Sequence, residues 1–193
     1  MSSDPFASSE IVVGVTGGIA VYKAAELVSR LRQRGAAVTV VMTAAARQFV
    51  QPLTFAVLSG RRVITDLFEQ PEQYETEHIA LAQKAHLAII APATANFLGK
   101  VAAGIADDAL TTTVLSLNCP IVIVPAMNHR MWSHPQVQRN VGRMRELGHI
   151  IVEPQAGWLA CGETGIGRLA DVDSILAAAE RAGDLTSKAQ KRE

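Results

Sequence analysis

Neither sign of charge prevails in this chain, which carries 18 Lys and Arg against 18 Asp and Glu. That balance argues against a nucleic acid or an anionic membrane as partner, since either would call for a basic patch. Cysteine is scarce, at two in 193 residues. That is too few for a disulfide framework, and the expectation is a reduced, cytoplasmic protein. No apolar run reaches the roughly 18 residues of a membrane span. Residues 1–10 lack the basic-then-apolar layout of a signal peptide. The five histidines form no H-E-x-x-H pair and no cluster with cysteine, so no metal is expected. There is no G-x-S-x-G elbow, which argues against a serine hydrolase.

What the chain does have is apolar residues, 49% of the total, enough for one substantial core. The expected organisation is a disordered leader over 1–9, one α/β domain over 10–182 and a polar tail over 183–193. Runs at 11–15, 37–42, 87–91, 121–124 and 149–152 read as buried parallel strands, with a further short strand at 62–64. Helical patterns fill 19–34, 43–49, 52–59, 97–102, 109–117, 135–147 and 171–182, and 65–77 reads as a surface loop. Strand, glycine turn, helix and strand at the start make a βαβ unit. The fold class is therefore α/β, a doubly wound parallel sheet, whose ligands belong at the carboxyl ends of the strands.

Five stretches sit where chemistry would be. Gly17-Gly18 ends the first strand and opens a helix, an arrangement that suits a phosphate. It lacks G-x-G-x-x-G spacing, and residues 40–46 contain no acid to hold an adenosine ribose. A nicotinamide dinucleotide is thus disfavoured against a mononucleotide with one phosphate. Residues 125–132, Pro-Ala-Met-Asn-His-Arg-Met-Trp, follow the strand at 121–124. There Asn128 could hydrogen-bond a ligand while Met131 and Trp132 wall it off, or Asn128 could cap a helix over a core of Met and Trp. Thr94 and Asn96 likewise suit the heteroatoms of a planar ligand or a helix cap. His78, at a loop-to-helix junction, is either a packing residue or a base working near neutral pH. Four glycines between Gly157 and Gly167 surround Cys161 and suggest a mobile lid. Cys161 is the reactive candidate or an accidental loop cysteine, and Cys119 beside a buried strand is an inert core thiol.

Together, Pro125-Ala126-Met127-Asn128-x-x-Met131-Trp132, His78-Ile79, the run 91–96 and Ala160-Cys161-Gly162-x-x-Gly165-x-Gly167 resemble the homo-oligomeric flavin-containing cysteine decarboxylases. The resemblance spans about residues 11–171. It implies a Rossmann- or flavodoxin-like domain that forms homotrimers, sometimes dodecamers, with FMN near a subunit interface. Carried over, Gly17, Gly18, Ile19 and Thr43 face the phosphate and ribityl chain. Ala93, Thr94, Asn96 and Met131 face the ring. His78 is the base, Asn128 holds the substrate carboxylate, and Ala160, Cys161 and Gly162 belong to a substrate clamp.

The implied reaction is decarboxylation of a small molecule, 4′-phosphopantothenoylcysteine, to 4′-phosphopantetheine in coenzyme A biosynthesis. Its course is oxidation of the thiol to a thioaldehyde, loss of carbon dioxide and reduction of the resulting enethiol. The same resemblance admits a decarboxylase of C-terminal peptidyl cysteine and a non-catalytic FMN-binding regulatory subunit. It also admits a flavin prenyltransferase, which would leave Asn128 and Cys161 without roles. Bacterial members are often fused to a phosphopantothenate–cysteine ligase, so the chain is expected to be either free-standing or one part of such a fusion.

Overall fold

The computed structural model describes residues 4–67 and 77–190, the side chains of 77–78 and 184–190 excepted. Its centre is a parallel sheet of β1 (Glu10–Val15), β2 (Ala37–Met42), β3 (Leu87–Ala93), β4 (Ile121–Pro125) and β5 (Ile150–Ile151). They lie in the order β2-β1-β3-β4-β5, the flavodoxin-like arrangement. Every residue of β3 and β4 is buried, as Ile- and Val-rich runs require when helices cover both faces. On one face α1 (Val21–Gln33), α2 (Pro52–Ser59) and α8 (Val172–Gln190) pack around Val13, Leu27, Leu31, Phe55 and Leu176. On the other, α3 (Glu77–Lys84), α4 (Ala95–Ala102), α5 (Ala109–Ser116) and, beyond a short α6 (His129–Trp132), α7 (Pro135–Glu146) surround Ile90, Phe97, Leu110, Val141 and Met144. Gly14 lets this second layer close, because a Cβ there would lie 2.6 Å from both Ile90 Cδ1 and Leu110 Cδ1.

Buried Thr16 joins the ends of two strands. Its hydroxyl donates to Pro92 O (2.7 Å) and accepts from Thr94 N (3.0 Å), so the turns after β1 and β3 are held as one unit. Pro92 has no N–H for the ladder, and the β3–β4 register shifts where it stands, between Ile90 and Ala93.

Several expectations change. Within the expected leader Phe6 is buried, with the Arg34 guanidinium 4.4 Å above its ring, and Asp4 pairs with Arg34 at 2.8 Å. The helix expected over 43–49 shrinks to a 3-10 turn, Ala46–Gln48, entered by a bond from Ala46 N to Thr43 Oγ1. The strand expected at 62–64 is a single bridge, Val41 to Ile64. Residues 68–76 of the expected loop lie outside the described residues. The last helix continues to Gln190 where a tail was expected from 183, since adding residues to an established helix costs little. The glycine-rich stretch is no loop. It forms an antiparallel hairpin of β6 (Gln155–Trp158) and β7 (Thr164–Arg168).

Asp171 stands at the start of α8, where its Oδ1 accepts from Ser174 N (2.7 Å) and its Oδ2 from Gln155 Nε2 (2.5 Å). The Ser174 backbone N–H, then the Gln155 amide, hold its carboxyl down at about 2. Asp171→Ala should destabilise the protein by about 1 kcal/mol at neutral pH, the usual cost of a lost cap, as read by urea denaturation. The folded value is depressed. The difference from wild type should therefore be full above about pH 4, the unfolded carboxyl's range, and fade as pH falls towards 2.

Candidate active site

At the carboxyl ends of β1, β3 and β4 lies a cavity of about 490 Å³, within the range of small-molecule sites. Gly17 to Ala20, Thr94, Met127, Asn128, Met131, Leu159, Ala160 and Cys161 are among the residues that line it. Its charged lining residues are Lys23 and Arg168, both cationic.

The Gly17-Gly18 turn is built for close approach. A Cβ on Gly17 would come within 2.4 Å of Ala45 Cβ and 2.7 Å of its carbonyl carbon. At Gly18 the nearest neighbour would be Thr94 Cγ2 at 3.7 Å, leaving its backbone open to the cavity. Helix α1 begins here with no side-chain cap and no acidic residue in its first turn. Val21 N and Lys23 N are bonded to Gly18 O and Ala20 O, so what the helix start offers an anion is its positive dipole end and the N–H groups that remain.

Asn128 is a helix cap, as one reading had it, and it also lines the cavity. Its Oδ1 accepts from Arg130 N (2.8 Å), capping α6, while its Nδ2 donates to Cys161 Sγ (3.2 Å). The two motif residues, 33 positions apart in sequence, thus meet at one wall of the cavity. Cys161 sits in the tight connection of the hairpin, where Gly162 N bonds Leu159 O and Leu159 N bonds Glu163 O. Gly162 has φ +82°, a conformation that side chains resist.

Two of the hairpin's glycines, Gly165 and Gly167, serve contact with residues 127–129. Gly167 O accepts from Met127 N (2.9 Å), and a Cβ on Gly167 would sit 2.1 Å from Met127 O. A Cβ on Gly165 would lie 2.8 Å from His129 Cβ. The hairpin is therefore seated directly on residues 127–129. Arg168 folds back over Gly157 and bonds Gln155 Oε1 (3.3 Å).

Of the residues singled out from sequence, Gly17, Gly18, Ile19, Thr94, Asn128, Met131, Ala160 and Cys161 share this cavity. Thr94 also caps α4 through Phe97 N, so its two readings are compatible as well. Thr43, Ala93, Asn96 and Gly162 are not in the lining. Thr43 caps the 3-10 turn, Ala93 is fully buried and Asn96 is exposed on α4. His78 is the second residue of α3, and its side chain lies outside the described residues. Cys119 is the inert thiol expected, pushed up to about 11 by burial. Sequence reading passed over Thr16, Tyr22, Lys23, Trp158 and Arg168. Among these, Lys23 in the first turn of the helix after the glycine turn was the one with a legible signal.

Among the described residues no His, Cys, Asp and Glu side chains are grouped for a metal, and no helix is long and apolar enough to cross a membrane.

Residues 2–182 match the family described as Flavoprotein. The chain is 49% identical over 171 residues to the coenzyme A biosynthesis bifunctional protein CoaBC of Bacillus subtilis (strain 168), covering 89% of this chain and 42% of that protein. It therefore spans less than half the length of that relative. Among solved structures, the FMN-dependent cysteine decarboxylase SpaF superposes with a TM-score of 0.81 at 38% identity, covering 93% of this chain and 99% of that one. A PPC decarboxylase mutant complexed with pantothenoylaminoethenethiol superposes with a TM-score of 0.80 at 28% identity, covering 88% and 95%.

Proposed function

The chain belongs to the Flavoprotein family, and we propose that it catalyses FMN-dependent decarboxylation of 4′-phosphopantothenoylcysteine to 4′-phosphopantetheine, a step of coenzyme A biosynthesis. The observation that carries this is the Asn128–Cys161 contact, which joins an amide and a thiol at the wall of a cation-bearing cavity. The similarity to a coenzyme A biosynthesis protein and to a PPC decarboxylase supports this reading.

FMN fits the residues present. Its single phosphate suits the uncapped start of α1, with Gly18 open to the cavity and Lys23 in the first turn. A flat ring suits the apolar wall of Ile19, Ala126, Met127 and Met131. When bound, FMN supplies the two-electron oxidation of the substrate thiol that lets the neighbouring carbon accept the electrons left by carbon dioxide.

The protein's own groups bind and handle protons. Asn128 Nδ2 carries two hydrogens, one directed at Cys161 Sγ and a second for the substrate carboxylate. Arg168 and Lys23 balance the charge of an anionic substrate and cofactor in a partly desolvated cavity. Cys161 holds a proton at Sγ for the product-forming step. His78 is the proposed base towards the substrate thiol. His78→Asn should keep bound flavin yet fail to bleach it when substrate is added under anaerobic conditions. Bleaching at the wild-type rate would remove His78 from the mechanism.

Four large apolar side chains of this cavity, Ile19, Tyr22, Met131 and Trp158, are exposed, from 47% at Met131 to 70% at Trp158. That exposure supports a homotrimer, or a dodecamer of trimers, in which a second copy covers the site. Light scattering should give a mass near a multiple of three chains.

The peptidyl-cysteine reading has one observation in its favour. SpaF, an FMN-dependent cysteine decarboxylase, is 38% identical to this chain, against 28% for the PPC decarboxylase. Product analysis separates the two. The purified protein is incubated with 4′-phosphopantothenoylcysteine and, separately, with a peptide ending in cysteine. Release of 4′-phosphopantetheine supports the first reading, and turnover of the peptide alone replaces it with the second.

A further inference from the structure

Cys161 heads a short series of proton-carrying groups that the proposed decarboxylation does not by itself require. Its S–H points to Glu163 Oε2 at 3.9 Å, and the same oxygen lies 3.5 Å from His129 Nδ1. The His129 nitrogen is buried and has no hydrogen-bond partner, although the ring itself is 31% exposed. A buried polar atom left unsatisfied in a folded protein calls for a functional account.

The surroundings direct these groups at one another. His129 opens α6 directly after Asn128, and Glu163 directly precedes β7. Gly165 has no side chain to hold the imidazole off the hairpin, for a Cβ there would lie 2.9 Å from His129 Cγ. Arg130 Nη2 stands 3.5 Å from the other oxygen, Oε1, which leaves Oε2 to His129 and Cys161. Asn128 Nδ2 meets Sγ as a donor, so the sulfur's own hydrogen is free to face Glu163. Distances of 3.5 and 3.9 Å are long for proton transfer, but such contacts tighten when substrate fills a site.

We propose that Glu163 and His129 are positioning residues that return a proton to Cys161 after each turnover, an inference that rests on Cys161 giving up its proton during product formation. The bonds balance without any electron transfer. A proton taken from solvent at the other nitrogen of His129 releases Nδ1–H, which breaks as Oε2–H forms on the Glu163 carboxylate. That Oε2–H bond then breaks as S–H forms, so the thiolate is neutralised, the carboxylate regains its charge and the ring returns to its starting form by exchange with solvent. Solvent thus reaches Cys161 through the partly exposed imidazole even when substrate covers the sulfur.

The proposal separates the first turnover from those that follow, which a purely structural role would not do. In the flavin-loaded enzyme, Glu163→Gln and His129→Gln should complete the first turnover at close to the wild-type rate, because Cys161 starts protonated. Steady-state turnover should then fall about a hundredfold, the low end of what acid–base groups contribute. Flavin absorbance verifies that each variant is folded and loaded. A second measurement needs no turnover: the S–H stretching band of Cys161, assigned by difference against Cys161→Ser, should move to higher wavenumber in Glu163→Gln as the carboxylate acceptor is lost. Equal slowing of both phases, or no slowing of either, overturns the relay. An unmoved S–H band overturns the Cys161–Glu163 pairing whatever the substrate proves to be. Wild-type protein inactive on both thiol substrates would instead count against the decarboxylase reading, with the band still deciding the pairing.

Discussion

Asn128→Asp is expected to keep the fold and the flavin while losing activity by about three orders of magnitude. The substitution is selective because Asn128 does two things with two different atoms. Oδ1 caps α6 through Arg130 N, and an aspartate oxygen accepts that hydrogen bond equally well. Nδ2 donates to Cys161 Sγ, and by proposal to the substrate carboxylate, and aspartate has no donor there. It instead brings a second negative charge to the carboxylate. At about 4 Å and an effective dielectric near 20, that repulsion is about 4 kcal/mol, equivalent to nearly a thousandfold. Steady-state kinetics with matched flavin content is the measurement. Wild-type turnover would reduce Asn128 to a helix cap.

Cys161→Ser should divide the reaction in two. Oxidation and loss of carbon dioxide depend on other groups, so substrate should still be consumed. The final step needs the proton held at Sγ, and a serine hydroxyl is a far weaker acid than a thiol. The enethiol should accumulate, two hydrogens lighter than 4′-phosphopantetheine and visible by mass. Its share of product should rise from near zero to the majority, whereas 4′-phosphopantetheine formed at the wild-type rate would make Cys161 a bystander. Cys119 does not confuse the result, because burial holds its thiol at about 11.

How far these residues were legible depended on whether local sequence carries the physical cause. The strands were plain, since a sheet covered on both faces turns each strand into a continuous apolar run, and β2 spans the expected 37–42. Asn128 and Cys161 were found through their motifs, but nothing in local sequence says that they touch. The hairpin was misread because glycine looks the same whether it grants mobility or close approach. At Gly165 and Gly167 the reason is His129 and Met127, partners nearly 40 residues away. Phe6 was lost in a polar leader for the same reason, its partner Arg34 being remote. His129 and Glu163 gave no signal, because a lone histidine and a lone acid acquire meaning only once α6 and the hairpin are set together.

The cavity has a consequence for how the protein acquires its cofactor during folding. Its walls come from Gly17, Thr94, Asn128 and Gly167, so each contact that closes it bridges a long loop of chain. Loop closure of this kind is slow compared with helix formation and strand pairing between near neighbours. The hairpin also needs residues 127–129, at the end of β4, as its seat. A flavin site that closes through such contacts is expected to be completed late, after the sheet. FMN would then bind a chain whose sheet is already built, stabilising the finished protein by mass action and leaving the folding rate unchanged.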